Sequence, residues 1–435
     1  MKILSITAGA ANMYCGSCLR DNALASALIA QGHDVILAPL YTPTRTDEAN
    51  VSQRKVLFGG ISIYLEQLSP LFRNTPRFLD KLWDAPSVIN AFAGRGIAVD
   101  PAQLGALTVS MLEGSHGHHR KEVDKLSEWL RNEPRPDVVT LPFTLLIALA
   151  RPLRETTGRP VICSLQGEEL FLDNLLEPYR TQALDLIRNQ TDQVDAFIAV
   201  SNYCARFMAG YLRIPERKIH VVPLGINTEG YSLARPEKAR SFRIGYLARI
   251  APEKGLHLLA EAYHLLRSGP DMGMLSLEVA GYLAPEHRKY LDSVRARMRE
   301  WGIEDEFHYR GEVDRQQKVR FLQSLDVLSV PCTYDEPKGL FVLEALANAV
   351  PVVQPRRGSF PEMLEQTGGG LLVEPDSAPA LADGIRRLRE DTSLQLELGR
   401  AGYENVHRHW TIGTMAERTL AVYSGVVAGA GLPRQ

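Results

Sequence analysis

Short apolar runs recur along the whole chain, each long enough for one buried strand and parted from the next by room for a helix. Several of these runs, such as 161–165, 196–200 and 327–331, are almost without polar alternation. Both faces of such a strand must be covered, as in a parallel sheet with helices on either side. Parallel neighbours need long crossover connections, which are right-handed. The pattern predicts an α/β chain, and it runs twice. Strands are expected at 2–7, 35–39, 136–139, 161–165, 196–200 and 220–223. A second set is expected at 242–247, 275–280, 307–309, 327–331, 352–354 and 371–373.

Between the two sets, residues 228–241 are polar, carry Pro236 and lack apolar periodicity, which marks a domain boundary. A chain of 435 residues is also too long for one ordinary core. The reading is of two Rossmann-like, doubly wound parallel-sheet domains, 1–230 and 231–408, followed by a C-terminal segment 409–435. Residues from 42 to about 114 are irregular and read as insertions over the first core. They include Phe72-Arg73, Arg77-Phe78 and Lys81-Leu82-Trp83, where bases alternate with aromatics. Such a stretch fits a helix lying on a membrane surface or an ordinary partly buried helix.

A net charge of −2 gives no bulk attraction to nucleic acid, so none is expected as a partner. No apolar run reaches the length of a transmembrane helix. The opening 1–7 reads as a buried strand, not as a signal-peptide core. Five scattered cysteines imply no disulfide framework. The expected home is the cytoplasm, with peripheral contact at the inner membrane face left open.

Ligands of open parallel sheets bind beyond the carboxyl ends of the strands, and two loops there carry suitable chemistry. After 242–247 comes Gly245-Tyr246-Leu247-Ala248-Arg249-Ile250-Ala251-Pro252-Glu253-Lys254-Gly255. Arg249 offers a planar fork and Lys254 a point charge, a pair suited to the oxygens of a leaving diphosphate. Taken alone, the same pair reads equally as two solvated cations. After 327–331 comes Tyr334-Asp335-Glu336-Pro337-Lys338-Gly339-Leu340-Phe341-Val342-Leu343-Glu344-Ala345. Gly339, Leu340 and Phe341 open a helix whose free N–H groups favour an anion. Glu344, a turn inside, is placed to take two ribose hydroxyls. Taken alone, the two glutamates read as a capping residue and a mid-helix surface charge.

The order of these features, ending in Val350-Pro351-Val352-Val353, resembles the C-terminal domain of family-4 retaining glycosyltransferases of the GT-B fold. Ala199-Val200-Ser201 and Val221-Val222-Pro223-Leu224-Gly225-Ile226-Asn227 look like that family's inter-domain segment, with Asn227 where Asp is commoner. The resemblance implies two domains facing a deep cleft, 1–230 on the acceptor side and 231–408 binding the donor. It also implies a final helix, with Met415, Leu420 and Tyr423, crossing back to the first domain. The implied reaction moves a hexose from a UDP- or GDP-sugar to a carbohydrate, lipid or small-molecule acceptor, with no cofactor or metal required. Arg249 and Lys254 would bind the diphosphate, Glu344 the ribose, and Glu336 would steady charge at the anomeric carbon. Backbone groups of Gly339, Leu340 and Phe341 would touch phosphate or sugar, and Gly16 would face the phosphates across the cleft.

The chain departs from the family where a His-Gly is usual and Gln166-Gly167-Glu168-Glu169 stands instead. Gln166 can hydrogen-bond a sugar but cannot carry a proton. Glu168 and Glu169 are candidate bases on the acceptor side, or plain surface charges. Cys15 and Cys18 form a Cys-x-x-Cys without a second ligand pair, so they read as ordinary thiols. His116-Gly117-His118-His119 reads as a solvated loop. No Asp-x-Asp occurs, which disfavours a metal-chelated diphosphate. The rival readings are a sugar-nucleotide epimerase of GT-B-like fold and a non-catalytic nucleotide-sugar-binding protein. A Gly-x-Gly-x-x-Gly expected of an oxidoreductase is missing after both first strands.

Overall fold

The computed structural model describes residues 1–9, 16–44, 46, 48–53, 56–58, 101–233, 241–269 and 273–431. Cys15 and the basic aromatic stretch 72–83 therefore lie outside the described residues. The chain forms two compact units, Met1–Pro223 with Met415–Gln435, and Leu224–Thr414.

The first unit holds a six-stranded sheet in the order β2-β1-β3-β4-β5-β6. Its strands are β1 (Lys2–Thr7), β2 (Asp34–Pro39), β3 (Val138–Leu141), β4 (Val161–Leu165), β5 (Ala196–Ala199) and β6 (Ile219–Val221). Every described pairing is parallel. Every residue of β3, β4 and β5 is buried, which is why those runs carry no polar alternation. Each wholly buried Leu, Ile or Phe there contributes roughly 1.5–3 kcal/mol. The last helix, Ile412–Gly429, falls largely within this unit and buries Met415 and Tyr423.

The described residues among 42–58 carry no regular element, as expected, but the expectation is corrected at Pro101–Leu112, which is a helix. Gly105 and Thr108 weaken its local helical signal, and the reason it forms is tertiary. A Cβ at Gly105 would stand 2.5 Å from the Tyr179 ring, so the glycine lets the helix lie close against helix Tyr179–Arg188.

The second unit repeats the plan with the order β12-β11-β10-β7-β8-β9. Its strands are β7 (Phe242–Leu247), β8 (Leu275–Ala280), β9 (Phe307–Tyr309), β10 (Val327–Leu328), β11 (Val352–Pro355) and β12 (Gly370–Val373). All pair in parallel. β10 is shorter than the expected 327–331: the Ser329 N–H still donates to the Gly245 carbonyl at 2.9 Å, but the Val330 N–H donates to the Gln354 side chain at 3.3 Å. A Cβ at Gly245 would lie 2.1 Å from the Leu325 side chain, so a larger residue there would force that leucine to move.

No helix among the described residues is long and apolar enough to cross a membrane.

Candidate functional site

In the second sheet the connections leave in opposite directions on either side of the β7–β10 pair. This is the switch point at which open sheets leave a crevice. The loops after β7 and β10 therefore emerge side by side, and packing locks them together. The Thr333 N–H donates to the Glu253 carbonyl at 2.9 Å. Gly255 has φ +74°, and a Cβ there would stand 1.9 Å from the Pro331 carbonyl oxygen. Only glycine allows this approach without strain.

The loop after β7 tightens into a turn at Pro252–Lys254, and helix Leu256–Arg267 starts beyond Gly255. Lys254 thus projects from the last residue of the turn. Its side chain is 11% exposed and forms a salt bridge with Glu336, whose side chain is 5% exposed. Lys254 Nζ also donates to the Tyr334 hydroxyl at 2.7 Å, and that hydroxyl donates to Glu336 Oε2 at 2.5 Å. On the other oxygen, Glu336 Oε1 accepts from the N–H groups of Lys338 at 3.1 Å and Gly339 at 3.4 Å. Burial alone would raise the Glu336 pKa. The Lys254 charge, with bonds from Lys254, Tyr334 and the Lys338 amide, instead holds it at about 2. Burial likewise pulls Lys254 down, and the Glu336 carboxylate outweighs it, so its pKa is raised. Burial and the adjacent carboxylate push the Tyr334 phenol far above its usual value. The Cys332 thiol, buried against the cluster, is pushed up to about 12.

A third loop braces the second. The Ser359 N–H and hydroxyl both donate to the Glu336 carbonyl at 2.8 Å. Gly358, at φ +58°, comes so close that a Cβ would lie 2.5 Å from that same carbonyl oxygen. The Arg357 guanidinium binds both carboxylate oxygens of Asp376, at 3.1 and 2.6 Å.

Gly339 adopts φ +60° as the cap of helix Leu340–Leu346, so Leu340 and Phe341 are its first residues. The expectation of a free amide at Gly339 is corrected, because Glu336 takes it. Glu344 lies on that helix, and its Oε1 accepts from Lys318 Nζ at 2.6 Å, with both side chains largely buried. Arg249 lies near enough for its charge to act on Lys254 and Tyr334, but its own ion pair, at 3.2 Å, is with Glu253. Its side chain is 49% exposed.

Gln166, Glu168, Glu169 and Gly16 belong to the first unit. Gln166 is buried at the end of β4, and its Nε2 donates to the Pro142 carbonyl at 2.7 Å. Glu168 is buried as well, which corrects its reading as surface charge. Its Oε1 accepts from the Thr144 N–H at 2.9 Å and its Oε2 from the Gln166 N–H at 2.8 Å. The carboxylate thus ties the loop after β3 to the loop after β4. Glu169 begins the short helix Glu169–Asp173. Gly16 is the first residue of helix Gly16–Ala30, and Cys18 is buried within it. His119 is buried immediately before helix Arg120–Asn132, so the histidine cluster is not solvated throughout. Among the described residues, no group of three His, Cys, Asp or Glu side chains could hold a metal ion.

Sequence reasoning left out Tyr334, Lys318 and Ser359. Tyr334 sits two residues before Glu336, yet nothing in its spacing announces a bond to Lys254. Lys318 pairs with Glu344 only through the packing of helix Arg315–Gln323, for which the sequence holds no signal.

A family model described as Glycosyl transferases group 1 matches residues 233–405, and one described as Glycosyltransferase Family 4 matches residues 102–229. A GDP-mannose-dependent alpha-(1-6)-phosphatidylinositol monomannoside mannosyltransferase of Mycobacterium tuberculosis is 27% identical over 62% of this chain and 71% of its own length. An MMP alpha-(1->4)-mannosyltransferase of Mycolicibacterium hassiacum is 26% identical over 54% of this chain and 55% of its own. Among solved structures, sucrose-phosphate synthase from Thermosynechococcus elongatus aligns with a TM-score of 0.70 at 18% identity, over 98% of this chain and 99% of that one. Anabaena HepE in complex with UDP and glucose aligns with a TM-score of 0.67 at 16% identity, over 98% and 100%. At such identities the structural likeness speaks to the fold alone.

Proposed function

Because the chain belongs to the group 1 and family 4 glycosyltransferases of the GT-B fold, we propose that it moves a hexosyl group from a nucleotide-diphosphate sugar to an acceptor hydroxyl with retention of anomeric configuration. The acceptor hydroxyl belongs to a carbohydrate, a lipid or a small molecule. GDP-mannose is the first donor to try, on the strength of the mannosyltransferase relatives. UDP-sugars are the second.

The observation that carries this reading is the junction of two loops at the switch point. There a buried lysine and a buried glutamate meet beside the helix that bears Glu344. In this reading Lys254 and Arg249 bind the diphosphate and stabilise the charge that builds as the bond to the sugar breaks. Glu344 takes the ribose, and the opening amides of Leu340 and Phe341 face phosphate or sugar. Glu336 supplies a fixed negative charge near the anomeric carbon. Its two oxygens already accept bonds from Lys254, Tyr334, Lys338 and Gly339, which leaves it poorly placed as a nucleophile. That occupancy favours attack of the acceptor on the same face as the departing diphosphate. In the first unit, Gln166 and the loop that Glu168 braces contact the acceptor or the transferred sugar, with Glu169 beside them, and Gly16 meets the phosphates. Peripheral contact with a membrane fits a lipid acceptor.

The test offers the purified protein GDP-mannose, UDP-glucose and ADP-glucose separately with cell extract. Mass spectrometry follows release of nucleoside diphosphate and transfer of hexose, and NMR of the product gives the anomeric configuration. Transfer with retention from one donor is expected. Conversion of the donor into an epimeric sugar without transfer, or an inverted product, would overturn the proposal.

A further inference from the structure

Tyr334 stands at the centre of the second-unit cluster, and among the described residues its hydroxyl is the group bonded to both members of the buried ion pair. It accepts from Lys254 Nζ at 2.7 Å and donates its single proton to Glu336 Oε2 at 2.5 Å. The phenol is held from both sides. Thr333, its chain neighbour, is tied to Glu253, the chain neighbour of Lys254. The Glu336 carbonyl is anchored in turn by Ser359. The Lys254 ammonium lies 4.9 Å from the Tyr334 ring centroid and 5.8 Å from that of Phe341, so aromatic edges line its pocket.

An ammonium has three N–H donors. Lys254 directs one at Glu336 and one at the Tyr334 oxygen, which leaves a single N–H for any further acceptor. About 11% of the lysine side chain remains exposed. Without the phenol oxygen, the ammonium would turn about its Cε–Nζ bond and keep only the Glu336 bond as a guide.

We propose that Tyr334 is a positioning residue of the transfer reaction, whose hydroxyl aims the one remaining N–H of Lys254 at the leaving diphosphate and holds Glu336 in register with it. This rests on the reading of Lys254 as a diphosphate ligand. The hydroxyl touches no substrate in this role; it acts by fixing the two side chains that do. Misplacement of such groups by about 1 Å costs on the order of a hundredfold in rate.

The experiment compares Tyr334→Phe, which keeps the ring and removes the oxygen, with Lys254→Ala. Donor turnover is measured as nucleoside diphosphate released from whichever donor the wild type uses, across pH 2.5–9, a range that reaches the acid side where Glu336 titrates. Circular dichroism and thermal melts report whether each variant folds, and calorimetry gives its nucleotide affinity separately. Tyr334→Phe should lose roughly tenfold to a hundredfold in kcat with donor KM within about threefold of wild type. Its acid limb should move to higher pH, because Glu336 has lost a donor that favours its ionised form. A purely structural role for Tyr334 would leave the shape of that profile unchanged. Wild-type kcat and profile in Tyr334→Phe, beside an inactive Lys254→Ala, overturn this proposal alone. Wild-type turnover in Lys254→Ala overturns the diphosphate reading and this proposal with it. Should Tyr334→Phe fail to fold, Tyr334→His serves in its place: a ring nitrogen able to accept from Lys254 should restore part of the lost kcat, and kcat no better than in Tyr334→Ala counts against the proposal.

Discussion

Lys254 and Glu336, 82 positions apart in the chain, form one buried ion pair that joins the loop after β7 to the loop after β10. The pair has both a structural and an electrostatic consequence. It fastens together two loops that the sheet topology places side by side. It also holds a permanent positive and a permanent negative charge within one crevice, each kept ionised by the other. A reaction that separates a diphosphate anion from a cationic sugar needs such a pair of fixed charges.

Breaking the pair from one side should cost more than removing both members. Lys254→Met leaves the Glu336 carboxylate buried without its counter-ion, a change that costs about 3–5 kcal/mol. The double variant Lys254→Met with Glu336→Gln removes both charges and should recover most of that stability. Turnover should stay at least about a hundredfold below wild type in both. Urea denaturation and donor turnover of the three proteins check this, and equal stabilities for single and double variants would sink the argument.

Acid should weaken the pair before alkali does. The folded-state pKa of Glu336, about 2, lies below its ordinary value of 4.5, so its contribution is complete above about pH 5 and fades as pH falls towards 2. The Lys254 pKa is raised above 10.5, so its contribution is complete below that value and is lost only as pH rises past it. The stability gap between wild type and Glu336→Gln should therefore be flat from pH 6 to 9. It should shrink by on the order of 3 kcal/mol towards pH 2. Thermal melts in matched buffers test this, and a gap that stays constant down to pH 3 would count against it.

The Lys318–Glu344 bond at 2.6 Å orients the carboxylate assigned to the ribose. Glu344→Ala should weaken nucleoside diphosphate binding by roughly tenfold to a hundredfold, the range for losing charge-assisted hydrogen bonds. Lys318→Met should weaken it by about threefold to tenfold, because the carboxylate loses the partner that fixes its rotamer. Calorimetric titration with GDP and UDP decides. Tighter binding in Lys318→Met would show that the lysine competes with the ribose instead of serving it.

How much of this was legible beforehand depends on whether a residue's partner is local. Strands β4, β7, β8 and β9 stand where the apolar runs predict, because burial on both faces leaves a local signature. The loops after β7 and β10 were legible by their charged residues and glycines. Helix Pro101–Leu112 was not, since Gly105 owes its place to Tyr179, more than seventy positions away. The partners of Lys318, Glu168 and Tyr334 were equally hidden. Each is fixed by how helices and loops pack, and a residue type alone does not say whether it faces water or a buried carboxylate. The same limit explains the misreading of Gly339, whose amide opens a helix in sequence terms and is taken by Glu336 in three dimensions.

Glu168 offers a test in the first unit. Its two oxygens accept from the N–H groups of Thr144 and Gln166. Glu168→Gln keeps the shape but turns one acceptor into an NH2 that faces an N–H, leaving a buried donor unpaired at about 1–3 kcal/mol. The melting temperature should fall by several degrees. Acceptor KM should rise more than donor KM if the loops so braced meet the acceptor. An unchanged melting temperature would show that the carboxylate is dispensable as a brace.

Gly255 tests whether the junction of the two loops governs activity independently of its charges. The residue combines φ +74° with a backbone approach that leaves no room for a Cβ, which would meet the Pro331 carbonyl oxygen at 1.9 Å. Gly255→Ala must therefore strain the backbone and also push the loop after β10 away from the loop after β7. The left-handed conformation alone costs a non-glycine residue on the order of 1 kcal/mol, and the displacement adds to it, for roughly 2–4 kcal/mol in all. The rate should suffer beyond what stability explains, because Lys254 precedes the glycine and Pro331 begins the stretch that carries Tyr334 and Glu336. Turnover assayed well below the melting temperature should fall at least about tenfold, with nucleotide affinity less affected. Gly302, in an open turn with nothing near its Cβ position and φ +71°, is the control: Gly302→Ala carries the conformational cost alone and should leave turnover unchanged. Equal turnover in the two variants would mean that the close approach of the loops is a matter of packing and not of catalysis.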